Sequence, residues 1–99
     1  MSDYILVKTT FDLLIVAEDT AKDLINKHLA ASVQLSKIQS FSVWGSQEYF
    51  DMHEYELSCI TRKEKYAELE EYFKEQHILS VPVLNISEEY AKWVFYCLG

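Results

Sequence analysis

Three histidines, two cysteines and sixteen acidic residues are the side chains in this 99-residue sequence that could bind a metal ion. His53 and Cys59 fall on one face of a predicted strand but six residues apart, which is roughly 20 Å at ~3.3 Å per residue. Ligands of one zinc ion lie within about 2.3 Å of it, so these two cannot share an ion within one chain. The sequence also lacks Cys-x-x-Cys, His-x-x-x-His and His-Glu-x-x-His motifs. A closed zinc site is therefore not predicted, and His28, on an apolar helix stripe, is interpreted as structural.

Glu54 and Glu56 offer two carboxylates on one strand face, about 7 Å apart along the chain. With Glu48 or Asp51 they could hold a hydrated hard cation, although a solvated strand face has the same pattern. His77, at a predicted helix end, is either a metal ligand or a residue favoured there by the helix dipole. Glu54, Glu56 and His77 are thus the candidate metal ligands. No cofactor is certain, and copper and zinc are the candidate ions.

Catalytic motifs are missing from the sequence. With two glycines in total, it has no phosphate-binding glycine-rich loop and no Gly-x-Ser-x-Gly motif. Cys59 lies inside a predicted strand and Cys97 in a terminal apolar run, and both environments favour inert thiols. We therefore expect a protein that is not an enzyme.

The charge balance argues against nucleic acid and membranes as partners. Nine Lys and Arg against sixteen Asp and Glu give a net charge of -7 and a pI near 4.8, the wrong sign for a phosphate backbone or an anionic lipid surface. The apolar run that begins at Tyr4 stops at Lys8, which is short for a signal peptide. Two cysteines in an apolar chain fit a reducing compartment. We expect a cytoplasmic protein.

The hydrophobic pattern predicts one domain over residues 1–99 that opens with a strand, a helix and a hairpin. Residues 13–16 alone resemble a strand, but apolar residues continue at three- and four-residue intervals behind Asp12, a good N-cap residue, so we predict a helix. The predicted elements are a central strand buried on both faces at 4–9, a helix at 12–31, and hairpin strands at 34–44 and 49–61.

The second half of the chain predicts helix, strand and helix. Thr61 and Glu64 have the spacing of a capping box for a helix that runs to about His77. Residues 81–86 predict a strand, and Pro82 places it at a strand start or a sheet edge. Ser87 is the predicted N-cap of a final helix. The order predicts an α+β fold, a ferredoxin-like βαββαβ sandwich with an antiparallel sheet, both helices on one sheet face and a C-terminal helix.

Aromatic residues make up 14% of the sequence, more than a core of this size buries comfortably. Several fall in the hairpin or near the ends of elements, so we expect them to meet another chain. The alternative is a monomer core under a half-covered sheet. The interface candidates are Trp44, Tyr49, Phe50, Tyr55 and Trp93.

Five short motifs stand in a fixed order along the chain. They are Leu29-Ala30-Ala31-Ser32, Ser40 with Trp44, Glu54-Tyr55-Glu56-Leu57, His77 with Pro82, and Tyr90-Ala91-Lys92-Trp93. Together they resemble the CutA family of divalent-cation tolerance proteins, from Tyr4 to Trp93. The resemblance also supports a helix over 12–31, because Thr10 lies as far before Ser32 as the family's threonine lies before its cysteine.

The resemblance implies a homotrimer of ferredoxin-like subunits whose long hairpins pair across subunits, with metal-related sites near the interfaces. The family's role is tied to copper and divalent-cation tolerance. In this sequence Ser32 stands in place of the family's cysteine and Val83 in place of a glutamate, so a soft and a hard ligand are lost and copper binding is weakened.

The function implied is a non-enzymatic, CutA-like homotrimer associated with divalent metal ion tolerance. Two alternatives remain open. The first is a regulatory module that binds a small effector between subunits, since the family's architecture is similar to that of P-II signal-transduction proteins. The second is a structural or interaction trimer without metal binding.

Overall fold

Within residues 3–43 and 49–99, which the computed structural model describes, the chain forms four strands and three α-helices. They are β1 (Tyr4–Phe11), α1 (Leu14–Asn26), β2 (Ser32–Val43), β3 (Tyr49–Arg62), α2 (Tyr66–Tyr72), β4 (Leu79–Pro82) and α3 (Glu88–Cys97), with a 3-10 turn at Lys63–Lys65. None of these helices is long and apolar enough to cross a bilayer.

The strands form one antiparallel sheet in the order β2-β3-β1-β4. This arrangement confirms the predicted α+β, ferredoxin-like fold, and β1 is central as predicted. Ile5, Val7 and Phe11 are buried, whereas the even-numbered residues of β1 are only half-buried. The prediction that both faces of this strand are buried was therefore wrong, because only the odd-numbered face is covered by helices along its length.

Two hydrophobic clusters lie on opposite faces of the sheet. On the face of the odd-numbered residues, Leu24 of α1 and Leu69 of α2 are fully buried with Val7 and Leu57. As predicted, both of these helices lie on one face. On the other face, called here the open face, α3 covers one end, where its Val94 packs near Ile60.

Helix α1 is shorter than the predicted helix over 12–31. It begins after Leu13, whose extended backbone forms the N-cap without a side-chain hydrogen bond, so Asp12 is not the cap. It ends because His28 adopts a φ of 59°, in the left-handed region that does not continue a helix. The exposed His28 ring instead places Nδ1 3.3 Å from the carbonyl oxygen of Cys97.

The predicted capping box at Thr61 was also wrong. Thr61 is the penultimate residue of β3, fully buried, and its hydroxyl has no hydrogen-bond partner among the described residues. The Glu64 carboxylate instead accepts a hydrogen bond from Arg62 Nε at 2.5 Å. Helix α2 ends at Tyr72, so His77 lies in the loop beyond the helix rather than at its end.

The hairpin and the last helix follow the sequence more closely. Strand β2 ends at Val43, while Trp44 lies outside the described residues. Ser87 caps α3 as predicted, since its Oγ accepts a hydrogen bond from the Tyr90 amide at 3.2 Å. Strand β4 begins two residues before the predicted 81–86 segment and overlaps it only at residues 81 and 82, and Pro82 is the last residue of this edge strand.

The hairpin extends well beyond the rest of the sheet. Strand β1 ends at Phe11, opposite Tyr55, whereas the pairing of β2 with β3 continues to Val43 opposite Tyr49. We call residues 38–43 with 49–54 the ribbon. It accounts for an extent of 45 Å and a radius of gyration of 14.6 Å, against about 13 Å for a compact chain of this length.

A side-chain network ties α2 to α1. The Tyr72 hydroxyl donates a hydrogen bond to Asp23 Oδ2 at 2.7 Å, and Lys27 Nζ lies 3.3 Å from the same oxygen. Burial and the carboxylate of Asp23 raise the pKa of Tyr72 to about 12. The hydroxyl therefore stays protonated and donating at neutral pH.

Thr61 and Thr9 form a matched pair of buried threonines on neighbouring strands. We expect Thr61→Val to raise the free energy of unfolding by about 1 kcal/mol, because it replaces an unpartnered hydroxyl with a methyl group. Thr9→Val should lower it by about 1–3 kcal/mol, because the Thr9 hydroxyl donates to the carbonyl oxygen of His77 at 3.0 Å. Urea unfolding at constant protein concentration measures both, and equal losses from the two variants would contradict this account.

Candidate functional site

A cavity of about 170 Å³ lies where β3, β1 and the segment before β4 meet. Glu56 and His77, two of the three predicted metal ligands, both line it. Lys8, Thr10 and Leu79 complete most of the wall. The sheet register explains this meeting, since Glu56 of β3 pairs with Thr10 of β1, and Lys8 of β1 pairs with Leu79 of β4.

Side-chain hydrogen bonds fasten the His77 segment to β1. Thr9 Oγ1 donates to the carbonyl oxygen of His77 at 3.0 Å, and Gln76 Nε2 donates to the carbonyl oxygen of Thr10 at 3.1 Å. The loop after α2 is therefore held against the strand that carries Lys8. This attachment replaces the helix end predicted to position His77.

Lys8 is the residue of this site that the sequence analysis missed. Its Nζ lies 3.6 Å from Glu56 Oε1, and both side chains are about one-third exposed. Such a half-exposed pair contributes little stability, because water screens it. It does give the carboxylate a counter-ion, so a bound cation would have to share Glu56 with Lys8 or displace it. The signal in the sequence was a single lysine that interrupts an otherwise apolar strand start.

The other predicted acids lie apart from the cavity. Glu54 is on the same face as Glu56 but one rung further out, opposite Ile38. Asp51 Oδ1 accepts a hydrogen bond from Gln39 Nε2 at 2.8 Å, and Glu48 lies outside the described residues. Within the described ranges, no cluster of three or more His, Cys, Asp or Glu side chains is placed to hold one ion. The chain thus brings two candidate ligands together and leaves Glu54 outside.

The predicted interface residues whose side chains the structure describes are Tyr55 on β3 and Trp93 on α3. Trp44 and the side chains of Tyr49 and Phe50 lie outside the described part of the chain. Tyr55 is half-buried against the core of its own subunit. Trp93 is 45% exposed, with its ring centroid 5.9 Å from that of Tyr90.

The structure adds exposed apolar side chains that the sequence analysis did not single out. On the ribbon, Phe41 and Val43 are 63% and 64% exposed. They share the odd-numbered face with the core residues of β2, but no described helix extends over them. Their alternation with serines was visible in the sequence, whereas the end of the helix layer was not. The edge strand β4 is exposed along its whole length.

The two cysteines are separated by the sheet. Cys59 is buried in the cluster beneath α1 and α2, whereas Cys97 is half-buried beside the cluster of the open face. Burial raises the pKa of the Cys59 thiol to about 11. A thiol with such a pKa is a poor nucleophile and a poor metal ligand at neutral pH.

The sequence and the structure are similar to proteins of one family. The family model for the CutA1 divalent ion tolerance protein matches residues 5–96. The divalent-cation tolerance protein CutA of Pyrococcus horikoshii is 32% identical over 98 residues, which cover 91% of this chain and 93% of the relative.

Solved structures of such proteins have the same fold. The crystal structure of Pyrococcus horikoshii CutA in 3 M guanidine hydrochloride has a TM-score of 0.88 at 28% identity, covering 94% of this chain and 97% of that one. CutA from Synechococcus elongatus has a TM-score of 0.92 at 23% identity, covering 100% and 93%. The second likeness shows the fold alone.

The burial difference between the thiols predicts selective labelling. At pH 8, DTNB should react quickly with one thiol per native chain, Cys97, because a thiol with a pKa near 11 is only about 0.1% thiolate at that pH. Cys59 should react only after unfolding in urea. Cys97→Ser should remove the fast phase and Cys59→Ser the slow one. Two fast thiols in the native protein would contradict the burial of Cys59.

Proposed function

Because the chain belongs to the CutA1 family of divalent ion tolerance proteins, we propose that it is a non-enzymatic homotrimer that binds a divalent cation, copper or zinc, beside Glu56 and His77. The observation that carries this proposal is that both side chains line one cavity although 21 positions separate them in the sequence. Imidazole and carboxylate together suit zinc and copper, and waters would complete the coordination.

Lys8 sets the strength of the proposed site. Two protein ligands with a lysine ammonium beside one of them should bind a divalent ion weakly. Glu54, one rung away on the same face, adds negative charge without reaching the cavity. None of the described residues that line the cavity is a cysteine, so the ligands are of the harder nitrogen and oxygen type. We therefore propose reversible binding rather than a structural metal.

The trimer is proposed from the surface that one chain leaves exposed. The ribbon extends beyond β1, with Phe41 and Val43 about two-thirds exposed. The edge strand β4 and Trp93 of α3 are further exposed surface within one subunit. Apolar surface and open strand edges of this kind are the features that interfaces between chains cover. Ribbons that pair with neighbouring subunits would cover both the exposed apolar side chains and the open strand edge.

The remaining parts of the proposal concern chemistry and location. The protein is proposed not to be an enzyme, since Cys59, its buried thiol, has a pKa too high for a nucleophile. Cys59 and Cys97 lie on opposite faces of the sheet, so they cannot pair with each other, which supports a reducing, cytoplasmic location.

A second candidate function is an interaction trimer without metal. The specific observation in its favour is the ion pair of Lys8 with Glu56, at 3.6 Å, which neutralises the cavity from within the chain. The two candidates differ in their response to added ions.

Metal binding predicts a gain in stability. At a Cu²⁺ or Zn²⁺ concentration 100 times the dissociation constant, the free energy of unfolding should rise by about 2.7 kcal/mol. Glu56→Gln and His77→Ala should abolish this gain in stability. Lys8→Met should lower the metal concentration at which the gain is half complete. Asp19→Asn, which removes an exposed acid from α1, is the matched control and should keep the gain. If neither ion stabilises the wild-type trimer, the interaction trimer is favoured.

The trimer predicts a mass by light scattering of three times the 11.6 kDa of one chain. Val43→Glu should shift the mass to that of one chain, because it places a charge in the proposed interface. Ile15→Glu is the matched control, since Ile15 is 60% exposed on α1, close to the 64% of Val43 on the ribbon. A wild-type monomer, or equal effects of the two variants, would refute assembly through the ribbon.

A further inference from the structure

A second cavity, of about 240 Å³, lies on the open face of the sheet beneath the start of α3. Its floor is the aliphatic pair Leu6 and Ile60, which lie opposite each other on β1 and β3. Val83 and Tyr90 form a wall from the segment after β4 and from α3. The cavity is therefore a recess between sheet and helix within one subunit.

One side of this cavity is polar. Ser32 and Gln34 of β2 and Ser58 of β3 line it, with Gln34 directly opposite Ser58. In the described part of the chain, the side chains of these three residues make no hydrogen bond to another residue. The Gln34 carboxamide offers a donor and an acceptor side by side, and the serine hydroxyls can do either.

None of the described residues that line the cavity is charged, although 25% of the sequence is charged. Two cations flank the cavity along the described sheet: Lys8, opposite Ser58, and Arg62, two residues from Ile60. Glu56 opposes the charge of Lys8 at 3.6 Å, and Glu64 opposes that of Arg62. A charged ligand would lose hydration here without gaining an ion pair. The chemistry of the walls thus selects against ions of either sign.

We propose that this cavity binds a small uncharged molecule with a flat apolar face and an amide group on one edge. The flat face would lie on Leu6 and Ile60, and the amide would pair with the Gln34 carboxamide and Ser58. The volume equals about eight water molecules at roughly 30 Å³ each, which suits a single substituted ring. The cavity does not share its lining residues with the cavity of Glu56 and His77, so the inference does not depend on metal binding.

The cavity lies apart from the ribbon of its own subunit. Gln34 and Val43 are nine residues apart on β2, about 30 Å along the strand, so the cavity lies far from the outer end of the ribbon. Gln34 is exposed and Tyr90 is 41% exposed, which leaves the polar side open to solvent in one subunit.

Nicotinamide and nicotinate test the proposal, because they share a ring and a size and differ in an amide against a carboxylate. Saturation-transfer NMR and titration of amide chemical shifts on the protein should show saturable nicotinamide binding, with nicotinate at least about tenfold weaker because its carboxylate would find no cation among the described residues that line the cavity. Equal binding of the two probes, or no saturable signal from nicotinamide up to its solubility limit, would overturn the proposal.

Two variants locate the binding. Ser58→Leu fills the cavity and should abolish nicotinamide binding, while Ser36→Leu, one rung further along the open face and outside the cavity, should leave it unchanged. Gln34→Leu changes an exposed side chain that the core does not need, so it reports even if Ser58→Leu fails to fold, and it should weaken binding at least about fivefold. Unchanged binding in Gln34→Leu, or equal losses from Ser58→Leu and Ser36→Leu, would refute the site.

Discussion

The register between β1 and β3 is the constraint on which the rest of the molecule depends. Val7 pairs with Cys59, and Thr9 with Leu57, so the side chains of these two strands that are buried against α1 and α2 all have odd numbers. A slip of β1 by one residue against β3 would turn Lys8 into the core and bring Val7 to the surface. The slipped sheet would be strongly destabilised, because an unpaired buried charge destabilises a core far more than one lost apolar contact.

The same register decides what the open face can do. It pairs Glu56 with Thr10 and Ser58 with Lys8, while Ser58 also pairs with Gln34, so a charged recess and an uncharged recess lie side by side. Both recesses are closed by chain segments that flank β4, His77 before it and Val83 after it. The segments on either side of the short edge strand thus each line one of the two recesses.

Much of this fold can be predicted from local patterns in the sequence. Alternation identified the hairpin strands, and Ser87 identified the start of α3, because both signals come from contacts between close neighbours along the chain. The ends of α1 did not follow, because the left-handed backbone of His28 depends on a tertiary position rather than on a glycine. Thr61 failed as a cap for a similar reason, since pairing with Ile5 keeps it in the strand. The cavity of Glu56 and His77 required the order of strands, which no local pattern encodes.

The ribbon has a consequence for how such chains can diverge. Its outer rungs lie beyond the last pair of β1 with β3, Phe11 with Tyr55, so its length is uncoupled from the pairing of the central strand. Adding one residue to each strand would lengthen the arm and exchange its two faces, whereas adding two to each would lengthen it and keep them. Insertions that preserve recognition of a partner subunit are therefore restricted to even numbers of residues in each strand. Related proteins can thus differ in the length of the ribbon without changes in the residues that stabilise each subunit.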